Sequence, residues 1–565
     1  MASTSARLSK PYCSHPAFTA RLVGVLIAAT AWCVFAQPAT AAPLVGAGSN
    51  RCLDVAGNVD TLGTPLNIWD CNGQANQTFE FTAAGELRTF NGTRCVDAFN
   101  NQTADGTRVV VWSCTGAVNQ QWRRNSDGSI TGVQSGRCLD VNNAATTNGG
   151  AVILWTCNGQ ANQRWNGSSS DLNALVVDVG TVVRPVTRVG SGTLYGLSDQ
   201  NTPPVSIMQP LKLNTLRQPP PLHEHRPNGS PVPIGDTLRI AANAKAIGAT
   251  ITVDMADSFD GFPYNWVSWP DWLLRIDNMI SAAKSRTDIT NIAAWEPWNE
   301  PDWTWPTSTA GSFNDGWVRT YRQIRLSEPN IAIMGPSYSF WDVTAMRAFL
   351  TNARATNTVP QVISWHELSG WQSVPAHVRA YRALERELGI SARPISINEY
   401  AWTTEIDVPS STNHYIAQFE REGVRDAERA FWFEAGTLNG LLFNGQPTAS
   451  YWMYKWYADQ TGNIVGVIPT TNNDGVAAYD SGRRVLSLVF GGQAGNTTIR
   501  VNGLSQFGTT VTATLDRVSG TGRTTNVSGP TRVSSAAYPV TNGTVTIPIS
   551  NQDALSAYQL VVTPR

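Results

Sequence analysis

The sequence predicts a multidomain protein: an all-β segment built from three repeats, then a (β/α)8 barrel, then a β-sandwich. Short motifs recur at a fixed interval between residues 44 and 170, and strand-like and helix-like runs alternate from about 172 to 460. The remainder, 461–565, is rich in Val, Thr, Gly and Asn and shows short alternating runs. A chain of 565 residues is also too long for one compact domain.

The first segment, residues 1–41, is predicted to be a secretory signal peptide. Basic residues flank an apolar run at 22–36 that is too short to span a bilayer, and small residues at 39–41 suit a cleavage site. Two of the eight cysteines lie in this segment, and the other six lie between Cys52 and Cys157. An even set of cysteines in a secreted, extracellular protein favours disulfides over metal ligation.

The overall composition points away from charged macromolecular partners. Charged residues make up 15% of the chain and the formal net charge is −1, so neither nucleic acid nor a membrane surface is an expected partner. The 21 tryptophans favour carbohydrate, because sugar rings stack on indole faces.

The three repeats keep a strict period. The same 43-residue interval separates Cys52, Cys95 and Cys138, and it also separates the equivalent aspartates, tryptophans and glutamines. A fixed period of this length indicates one supersecondary unit copied three times. Each copy holds a second cysteine at the same spacing from the first, which predicts the disulfides Cys52–Cys71, Cys95–Cys114 and Cys138–Cys157.

This segment, residues 42–168, resembles the ricin B-type β-trefoil, carbohydrate-binding module family 13. The Gln-x-Trp signature of that family stands at Gln120 and at Gln163, with a variant at Gln77. In the family an Asp binds sugar hydroxyls, an aromatic side chain stacks on the ring, and an Asn-Gln pair supports the Asp. The resemblance implies three sugar sites, formed by Asp54, Asn67, Trp69, Asn76 and Gln77; by Asp97, Trp112, Asn119 and Gln120; and by Asp140, Trp155, Asn162 and Gln163.

The three sites differ at one position. Asn67 precedes Trp69 by two residues, where the other copies have Val110 and Ile153. The family often has a polar residue there, so the first site is expected to be the most complete. The alternative for any one copy is that its Asp and Asn are ordinary turn residues. The polar segment 166–175, rich in Gly and Ser, is expected to be a linker.

Residues 172–460 read as about eight βα units, which fits a (β/α)8 barrel whose functional groups lie at the carboxyl ends of the strands. The fourth strand-like run ends at Glu300 and the seventh at Glu399, and each glutamate follows an Asn. Two carboxyl groups that face each other across a site are the working parts of glycoside hydrolysis. The eighth run is expected to begin at Leu438.

The segment 295–303, WEPWNEPDW, together with Asn398-Glu399, resembles the clan A glycoside hydrolases. Within the clan it is most similar to family 39, the β-xylosidase-like family, with families 5, 30 and 79 as alternatives. The resemblance implies that Glu300 is the acid/base and Glu399 the nucleophile of a retaining reaction. It also implies that Arg217 orients the nucleophile and that His366 faces the site.

Further side chains are expected near the substrate. Asn299 precedes the acid/base, and Trp298, Trp402 and Trp452 are candidates for sugar stacking, with core packing as the alternative for each. The remaining carboxylates near the strand ends have either a sugar-binding or a merely solvated role: Asp254, Asp257, Asp302 and Glu405. Glu296 is expected to be structural, and Glu367, beside His366, has no evident role. The pair His223 and His225 is a weak metal motif without a third ligand.

The combined interpretation is a secreted, monomeric, retaining glycoside hydrolase that acts on plant cell-wall polysaccharide or its oligosaccharides. Xyloside, arabinoside or galactoside linkages are the expected targets, and no metal or organic cofactor is expected. The lectin module would hold the enzyme near its substrate. The alternatives are a carbohydrate-binding protein with an inactive barrel and a toxin-like lectin fusion. The β-sandwich is expected to recruit residues 172–190 from before the barrel.

Overall fold

The computed structural model describes residues 42–565 except 73, 83, 126, 167–173, 200, 225–232, 369, 431–434 and 471. The signal-peptide prediction and His225 therefore lie outside the described residues. Within the described part, no helix is both long enough and apolar enough to cross a membrane.

The N-terminal part is an all-β unit in which each repeat contributes the same hairpin. Its strands are β1 (Ala42–Pro43), β2 (Val45–Gly46), β3 (Cys52–Val55), β4 (Leu66–Trp69), β5 (Thr78–Phe81), β6 (Leu87–Thr89), β7 (Arg94–Ala98), β8 (Val109–Trp112), β9 (Trp122–Arg124), β10 (Ile130–Gly132), β11 (Cys138–Val141), β12 (Val152–Trp155) and β13 (Trp165–Asn166). The first cysteine of each repeat lies opposite its tryptophan: Cys52 pairs with Trp69, Cys95 with Trp112 and Cys138 with Trp155.

The cysteines of this unit form the three predicted disulfides, Cys52–Cys71, Cys95–Cys114 and Cys138–Cys157. The apolar side chains that alternate along these strands meet in one core that contains the buried Trp122 and Trp165. Each of these two indoles donates a hydrogen bond to a backbone carbonyl, so its polar N–H is satisfied inside the core. The signature tryptophans are therefore structural, whereas those at the ends of β4, β8 and β12 reach the surface.

After the long strand β14 (Ala174–Pro185), parallel strands close into a barrel. They are β15 (Gly192–Leu194), β16 (Thr215–Gln218), β17 (Thr250–Asp254), β18 (Ile292–Glu296), β19 (Ala332–Tyr338), β20 (Val362–Glu367), β21 (Ile395–Tyr400) and β22 (Asp426–Arg429). The helices are α1 (Val205–Met208), α2 (Thr237–Ala246), α3 (Trp269–Ser285), α4 (Pro301–Thr304), α5 (Thr307–Ala310), α6 (Phe313–Ser327), α7 (Val343–Ala355), α8 (Val374–Glu387), α9 (Pro409–Glu422) and α10 (Ala449–Asp459).

The last barrel strand is not where the sequence pattern placed it. β22 has the sequence Asp-Ala-Glu-Arg, whereas the apolar run from Leu438 leads into the short hairpin β23 (Leu442–Phe443) and β24 (Gln446–Pro447). The polar side chains Glu428 and Arg429 are completely buried. Glu428 accepts a hydrogen bond from the hydroxyl of Thr215 on β16. This strand is therefore buried although its sequence is charged.

The C-terminal part is a nine-stranded sheet that curls around its own core. Its remaining strands are β25 (Asn463–Ile468), β26 (Asp474–Asp480), β27 (Val485–Gly491), β28 (Gly495–Asn502), β29 (Thr510–Val518), β30 (Thr531–Pro539), β31 (Val545–Gln552) and β32 (Ala557–Pro564). The end strands β30 and β31 contact each other, so the sheet faces itself as in a sandwich. β14 lies between β25 and β28, which confirms that residues before the barrel join this sheet.

Buried ion pairs join the three parts. Arg379 on α8 bonds to Asp127 of the repeat segment and to Glu422 on α9, the latter at 2.7 Å. Arg421, also on α9, bonds to Asp474 of the C-terminal sheet. The repeat segment is therefore attached to the barrel by charged contacts; most of the predicted linker lies outside the described residues.

Candidate functional site

The two predicted catalytic glutamates meet at the carboxyl end of the barrel. Glu399 lies in β21, directly beside His366 of β20 in the strand register. The His366 ring lies between the glutamates: its Nδ1 is 3.1 Å from Glu300 Oε1, and its Nε2 is 3.7 Å from Glu399 Oε1. One carboxylate oxygen of each glutamate and a ring nitrogen of His366 all lie within 4.8 Å of one another.

Glu300 reaches this position from a loop and not from the end of a strand. Strand β18 ends at Glu296, and Glu300 precedes helix α4 with φ 52° and ψ 50°, the left-handed region. A non-glycine residue in this region costs free energy, and such residues concentrate at functional sites. The backbone N–H of Glu300 donates to the carbonyl of Ser337 on β19 at 2.9 Å, which holds the loop in place.

The two predicted catalytic glutamates are slightly exposed, whereas the charged residues beneath them are completely buried. Glu300 is 8% exposed and Glu399 9%, whereas Arg217, Asp254 and Glu296 have no exposed surface. A substrate in the barrel mouth can therefore reach the two glutamates, while the layer beneath them is closed to it.

Arg217 is the centre of that layer. Its guanidinium donates to Glu399 Oε1 at 2.9 Å, to both oxygens of Glu296 at 2.6 and 2.8 Å, and to Asp254 at 2.8 Å. It also donates to Asn299 Oδ1 at 2.9 Å. Arg217 thus contacts the predicted nucleophile directly, but it is too deeply buried to bind substrate itself. Glu296 shares this guanidinium with the candidate nucleophile, so it lies one side-chain layer below the site.

The charges in the site shift the pKa values of its members. Burial raises the pKa of Glu399, and the negative charge of Glu300 acts in the same direction, against the positive charges of His366 and Arg217. Despite burial, the hydrogen bond and charge of His366 hold the pKa of Glu300 below its usual range, with help from Trp303. Despite burial, the charge of Glu399 and the bond to Glu300 raise the pKa of His366.

The sequence interpretation missed one partner of the acid/base candidate. The indole Nε1–H of Trp303 donates to Glu300 Oε2 at 2.8 Å from one turn further along, in the short helix α4. Trp303 is 51% exposed. The i, i+3 spacing of Glu300 and Trp303 at a helix start was the available signal, since such residues lie on one face.

The three clustered side chains could also ligate a metal ion by residue type. The Arg217 guanidinium already bonds to Glu399, and a cation at that carboxylate would face its positive charge at close range. The arrangement therefore suits acid–base and nucleophilic chemistry better than metal binding.

Two of the three tryptophans proposed for sugar stacking have other partners. Trp298 is 2% exposed, packs against Trp305 with ring centroids 4.7 Å apart, and donates to Thr304 Oγ1. It is a core residue, because the loop after β18 turns its side chain inward. Trp452 lies on α10, not at the end of a strand, and its indole donates to the Val527 carbonyl at 2.6 Å. Trp402, which follows β21, is 45% exposed.

The other carboxylates have structural partners. Glu367 lies in β20 and accepts from the Trp365 indole at 2.6 Å, with the His377 ring of α8 2.9 Å away. Glu367 therefore faces the helix layer, while its neighbour His366 faces the lumen. Its role is to join β20 to α8, which its sequence position did not reveal. Asp257 accepts the Tyr195 hydroxyl at 2.5 Å.

Two loop carboxylates near the mouth are also engaged. Asp302 accepts from the backbone of Ser339, and Glu405 accepts from the backbone of Trp402 and from the Tyr415 hydroxyl. The first bond joins the loop after β18 to the loop after β19, and the other two hold the loop after β21 against itself and against α9.

The three predicted sugar sites of the repeat segment share one geometry. In each, a buried aspartate accepts two amide hydrogen bonds on the same oxygen, Oδ2: Asp54 from Asn76 and Gln77, Asp97 from Asn119 and Gln120, and Asp140 from Asn162 and Gln163. The distances lie between 2.7 and 2.9 Å. The second oxygen of each carboxylate receives none of these amide bonds and is left for a ligand hydroxyl.

The aromatic side chains of these sites are not equivalent. Trp69 is 44% and Trp155 41% exposed, whereas Trp112 is partly covered and contacts Phe99. Asn67 lies directly opposite Asp54 across the strand pair, and its buried Oδ1 has no hydrogen-bond partner among the described residues. Buried polar atoms usually have a hydrogen-bond partner, and a ligand hydroxyl could supply one here.

Comparison with known proteins identifies both parts of the chain. The family model described as ricin-type beta-trefoil lectin domain matches residues 40–165. The solved structure of N2152 from Neocallimastix frontalis is 34% identical, covers 69% of this chain and 99% of its own, and has a TM-score of 0.66. The structure of the GH39 enzyme from Xanthomonas axonopodis pv. citri covers 69% and 97%, at 14% identity and a TM-score of 0.50, which shows a shared fold.

Two curated relatives match 70% of the chain each. One is the 3-O-alpha-D-galactosyl-alpha-L-arabinofuranosidase of Bifidobacterium longum subsp. longum, at 26% identity over 41% of its length. The other is the 3-O-beta-L-arabinopyranosyl-alpha-L-arabinofuranosidase of Bifidobacterium pseudocatenulatum, at 25% identity over 48% of its length. The chain thus spans less than half of either relative. These findings show that the chain carries a ricin-type β-trefoil lectin domain and belongs to the same family as N2152, while its barrel shares the fold of the GH39 enzyme.

Proposed function

We propose that this protein is a retaining glycoside hydrolase that cleaves α-L-arabinofuranosidic linkages in plant cell-wall polysaccharide or its oligosaccharides. The spacing of the two glutamates is the observation that carries the proposal. Retaining enzymes hold their carboxyl groups about 5–5.5 Å apart and inverting enzymes about 6.5–9.5 Å, because inversion needs room for a water molecule. One oxygen of Glu300 and one oxygen of Glu399 lie within 4.8 Å of each other, which supports the retaining spacing over the inverting one.

The reaction would run in two displacements. Glu399 attacks the anomeric carbon while Glu300 gives its proton to the glycosidic oxygen, so the leaving sugar departs neutral and a glycosyl ester forms on Glu399. Glu300, now ionised, then takes a proton from a water molecule. That water attacks the anomeric carbon, the ester breaks, and the sugar leaves with its original configuration.

Arg217 supports this division of roles at Glu399, although the net pKa shift of Glu399 is upward and that of Glu300 is downward. Arg217 carries its charge at every working pH, so its bond to Glu399 favours the ionised nucleophile throughout. The support of His366 for an ionised Glu300 ends once the imidazole loses its proton. Loss of that proton raises the pKa of Glu300, which suits a group that must deliver a proton.

The choice of sugar rests on the two curated relatives, whose names both specify an α-L-arabinofuranosidase that acts on a 3-O-substituted arabinofuranosyl unit. Among the xyloside, arabinoside and galactoside linkages that the sequence left open, we therefore favour arabinofuranosides that carry a further sugar at O3.

The test is hydrolysis of a panel of 4-nitrophenyl glycosides and plant polysaccharides, with the product anomers followed by NMR. The panel holds arabinofuranosides with and without a sugar at O3, together with xylosides and galactosides. We expect turnover of an arabinofuranoside with retained configuration at the first time points.

Three results would count against the proposal. Inverted product would exclude the double displacement, and turnover of xylosides or galactosides alone would exclude the arabinofuranoside assignment. Binding of polysaccharide without turnover of any panel member would favour the binding protein with an inactive barrel.

The lectin domain is proposed to hold the enzyme on its polysaccharide. Replacing Trp69 and Trp155 together by alanine removes the two most exposed stacking surfaces without touching the buried aspartates. We expect about tenfold weaker retention in affinity electrophoresis through arabinose- or galactose-containing polysaccharide. Activity on a 4-nitrophenyl glycoside should change by less than about twofold.

Val133→Ala is the matched control, because Val133 is a 51% exposed apolar residue of the same domain outside the three sites. Undiminished retention of the double variant would show that these sites do not bind the polysaccharide.

A further inference from the structure

We propose that Phe262 and Trp303 form the subsite for the leaving-group sugar, and that the Trp303 indole also positions the carboxyl of Glu300. This inference rests on the proposed function and adds to it a residue pair that decides which sugars are accepted on the far side of the scissile bond. The leaving group would be a sugar of the polysaccharide backbone that presents an apolar ring face.

Phe262 and Trp303 form an exposed aromatic pair at the barrel mouth. Their ring centroids lie 5.1 Å apart with planes at 87°, and the side chains are 52% and 51% exposed. Phe262 comes from the loop between β17 and α3, and Trp303 from α4, so two separate segments bring the rings together. Two large aromatic side chains left exposed in contact with each other are typical of a binding surface.

Both rings are held in place from below. Phe262 packs edge to face on Tyr264, with centroids 5.6 Å apart, and Tyr264 is buried against Trp298. Trp303 is held by its hydrogen bond to Glu300 Oε2. The surface is therefore rigid before a ligand arrives, which lowers the entropy cost of binding.

The two oxygens of Glu300 define the side on which the pair lies. Oε1 faces the His366 ring, which lies between the two carboxyls, while Oε2 bonds to Trp303. The glycosidic oxygen that Glu300 protonates belongs to the leaving sugar, so that sugar must lie against Glu300. The aromatic pair continues the surface from Glu300 outward, on the side away from His366 and Glu399.

The bond to Trp303 also restricts which oxygen of Glu300 can carry the acid proton. An indole N–H can only donate, so Oε2 is always an acceptor in this contact. Trp303 therefore fixes the carboxyl plane of Glu300 relative to the ring on which the leaving sugar would stack. One residue would couple the position of the acid with the position of its substrate.

A leaving-group subsite is also the acceptor subsite of the second displacement, which gives a direct test. An acceptor sugar bound there competes with water: its hydroxyl oxygen attacks the anomeric carbon, the ester to Glu399 breaks, and the hydroxyl proton passes to Glu300. The ratio of transfer to hydrolysis depends only on steps after the glycosyl-enzyme has formed. It therefore reports the acceptor subsite independently of the first displacement.

The donor is the 4-nitrophenyl arabinofuranoside that the panel identifies, and galactobiose and xylobiose are the acceptors. We expect Phe262→Ala and Trp303→Ala to lower the ratio of transfer to hydrolysis about tenfold, with hydrolysis of the donor still measurable. Leu326→Ala, at an 81% exposed position on α6, is the matched control and should leave the ratio unchanged.

Trp303→Phe separates the two roles of the indole. It keeps an aromatic face but removes the N–H donor, so the ratio should stay within about twofold of wild type. The indole bond lowers the pKa of Glu300, so its loss should raise that pKa and move the basic limb of the pH–rate profile to higher pH. Loss of packing alone would not produce this shift.

An unchanged ratio of transfer to hydrolysis in both alanine variants would overturn the proposed subsite. Hydrolysis of the donor in the same experiment would still support the proposed hydrolase. A normal ratio with an unmoved basic limb in Trp303→Phe would overturn the positioning role. Absence of donor turnover by the wild type would overturn the proposed function and this inference with it. Thermal unfolding of each variant establishes that its fold is intact.

Discussion

Glu399→Gly is expected to lower kcat by about 10⁴-fold or more on every glycoside that the wild type hydrolyses. The variant lacks the carboxylate oxygen that forms the covalent bond to the sugar. Glu300 cannot take over this role, because the two glutamates carry out different steps of one reaction. The cavity left by the side chain lies beside His366 and Arg217, both of which remain. Added azide should enter this cavity, attack the anomeric carbon and restore turnover as a glycosyl azide of inverted configuration.

Glu300→Ala gives the complementary result. Without the acid, kcat on substrates with poor leaving groups should fall by a similar factor. A dinitrophenyl glycoside needs little protonation and should still form the glycosyl-enzyme. Azide should then capture that intermediate as an azide of retained configuration. The two opposite configurations, read by NMR, assign the nucleophile and the acid separately.

Glu387→Gln is the control for both variants, because Glu387 forms an exposed pair with Arg347 on the outer helices. Its kcat should stay within about twofold of wild type. Azide products of the same configuration from Glu399→Gly and Glu300→Ala, or full activity in Glu399→Gly, would contradict the assignment.

The second large effect is expected from Arg217→Met. This substitution leaves Glu399 and the completely buried Asp254 and Glu296 without their shared cation. Breaking a buried ion pair by removing one partner costs about 3–5 kcal/mol, because the remaining charge stays unpaired. The free energy of unfolding, measured by urea denaturation, should fall by about that amount.

The same variant should change the pH dependence of activity. Arg217 lowers the pKa of Glu399, so its removal raises that pKa. The nucleophile must be ionised, and it is protonated once the pH falls below its pKa. The acidic limb of the pH–rate profile should therefore move to higher pH, so activity is lost first in acid, whereas the basic limb set by Glu300 should move less.

Arg347→Met is the matched control, since it removes an arginine from an exposed pair with Glu387. Such pairs contribute little, so the free energy of unfolding should change by less than about 1 kcal/mol. A loss in Arg217→Met no larger than in this control would show that the buried carboxyls are neutral without the arginine. An unmoved acidic limb would show that Arg217 does not tune Glu399.

The sequence by itself determined the parts of this protein that depend on period and local chemistry. The 43-residue repeat fixes which cysteines are equivalent, so the pairs Cys52–Cys71, Cys95–Cys114 and Cys138–Cys157 could be predicted and are present. Glu300 and Glu399 could be singled out because each follows an Asn near the carboxyl end of a strand-like run, although Glu300 lies in the loop after its strand. Both do lie at one site.

Only the tertiary structure decided what depends on neighbours distant in the chain. The charged residues Glu428 and Arg429 of β22 were not recognised as part of a barrel strand, because the partners that stabilise them inside the protein are distant in the chain. Trp298 and Trp303 lie five residues apart in the same segment, yet one is core and the other borders the site. The left-handed turn at Glu300 separates the two tryptophans, because it redirects the chain after β18. Contacts with β19 and β20 hold this conformation in place, so no local sequence pattern predicts it.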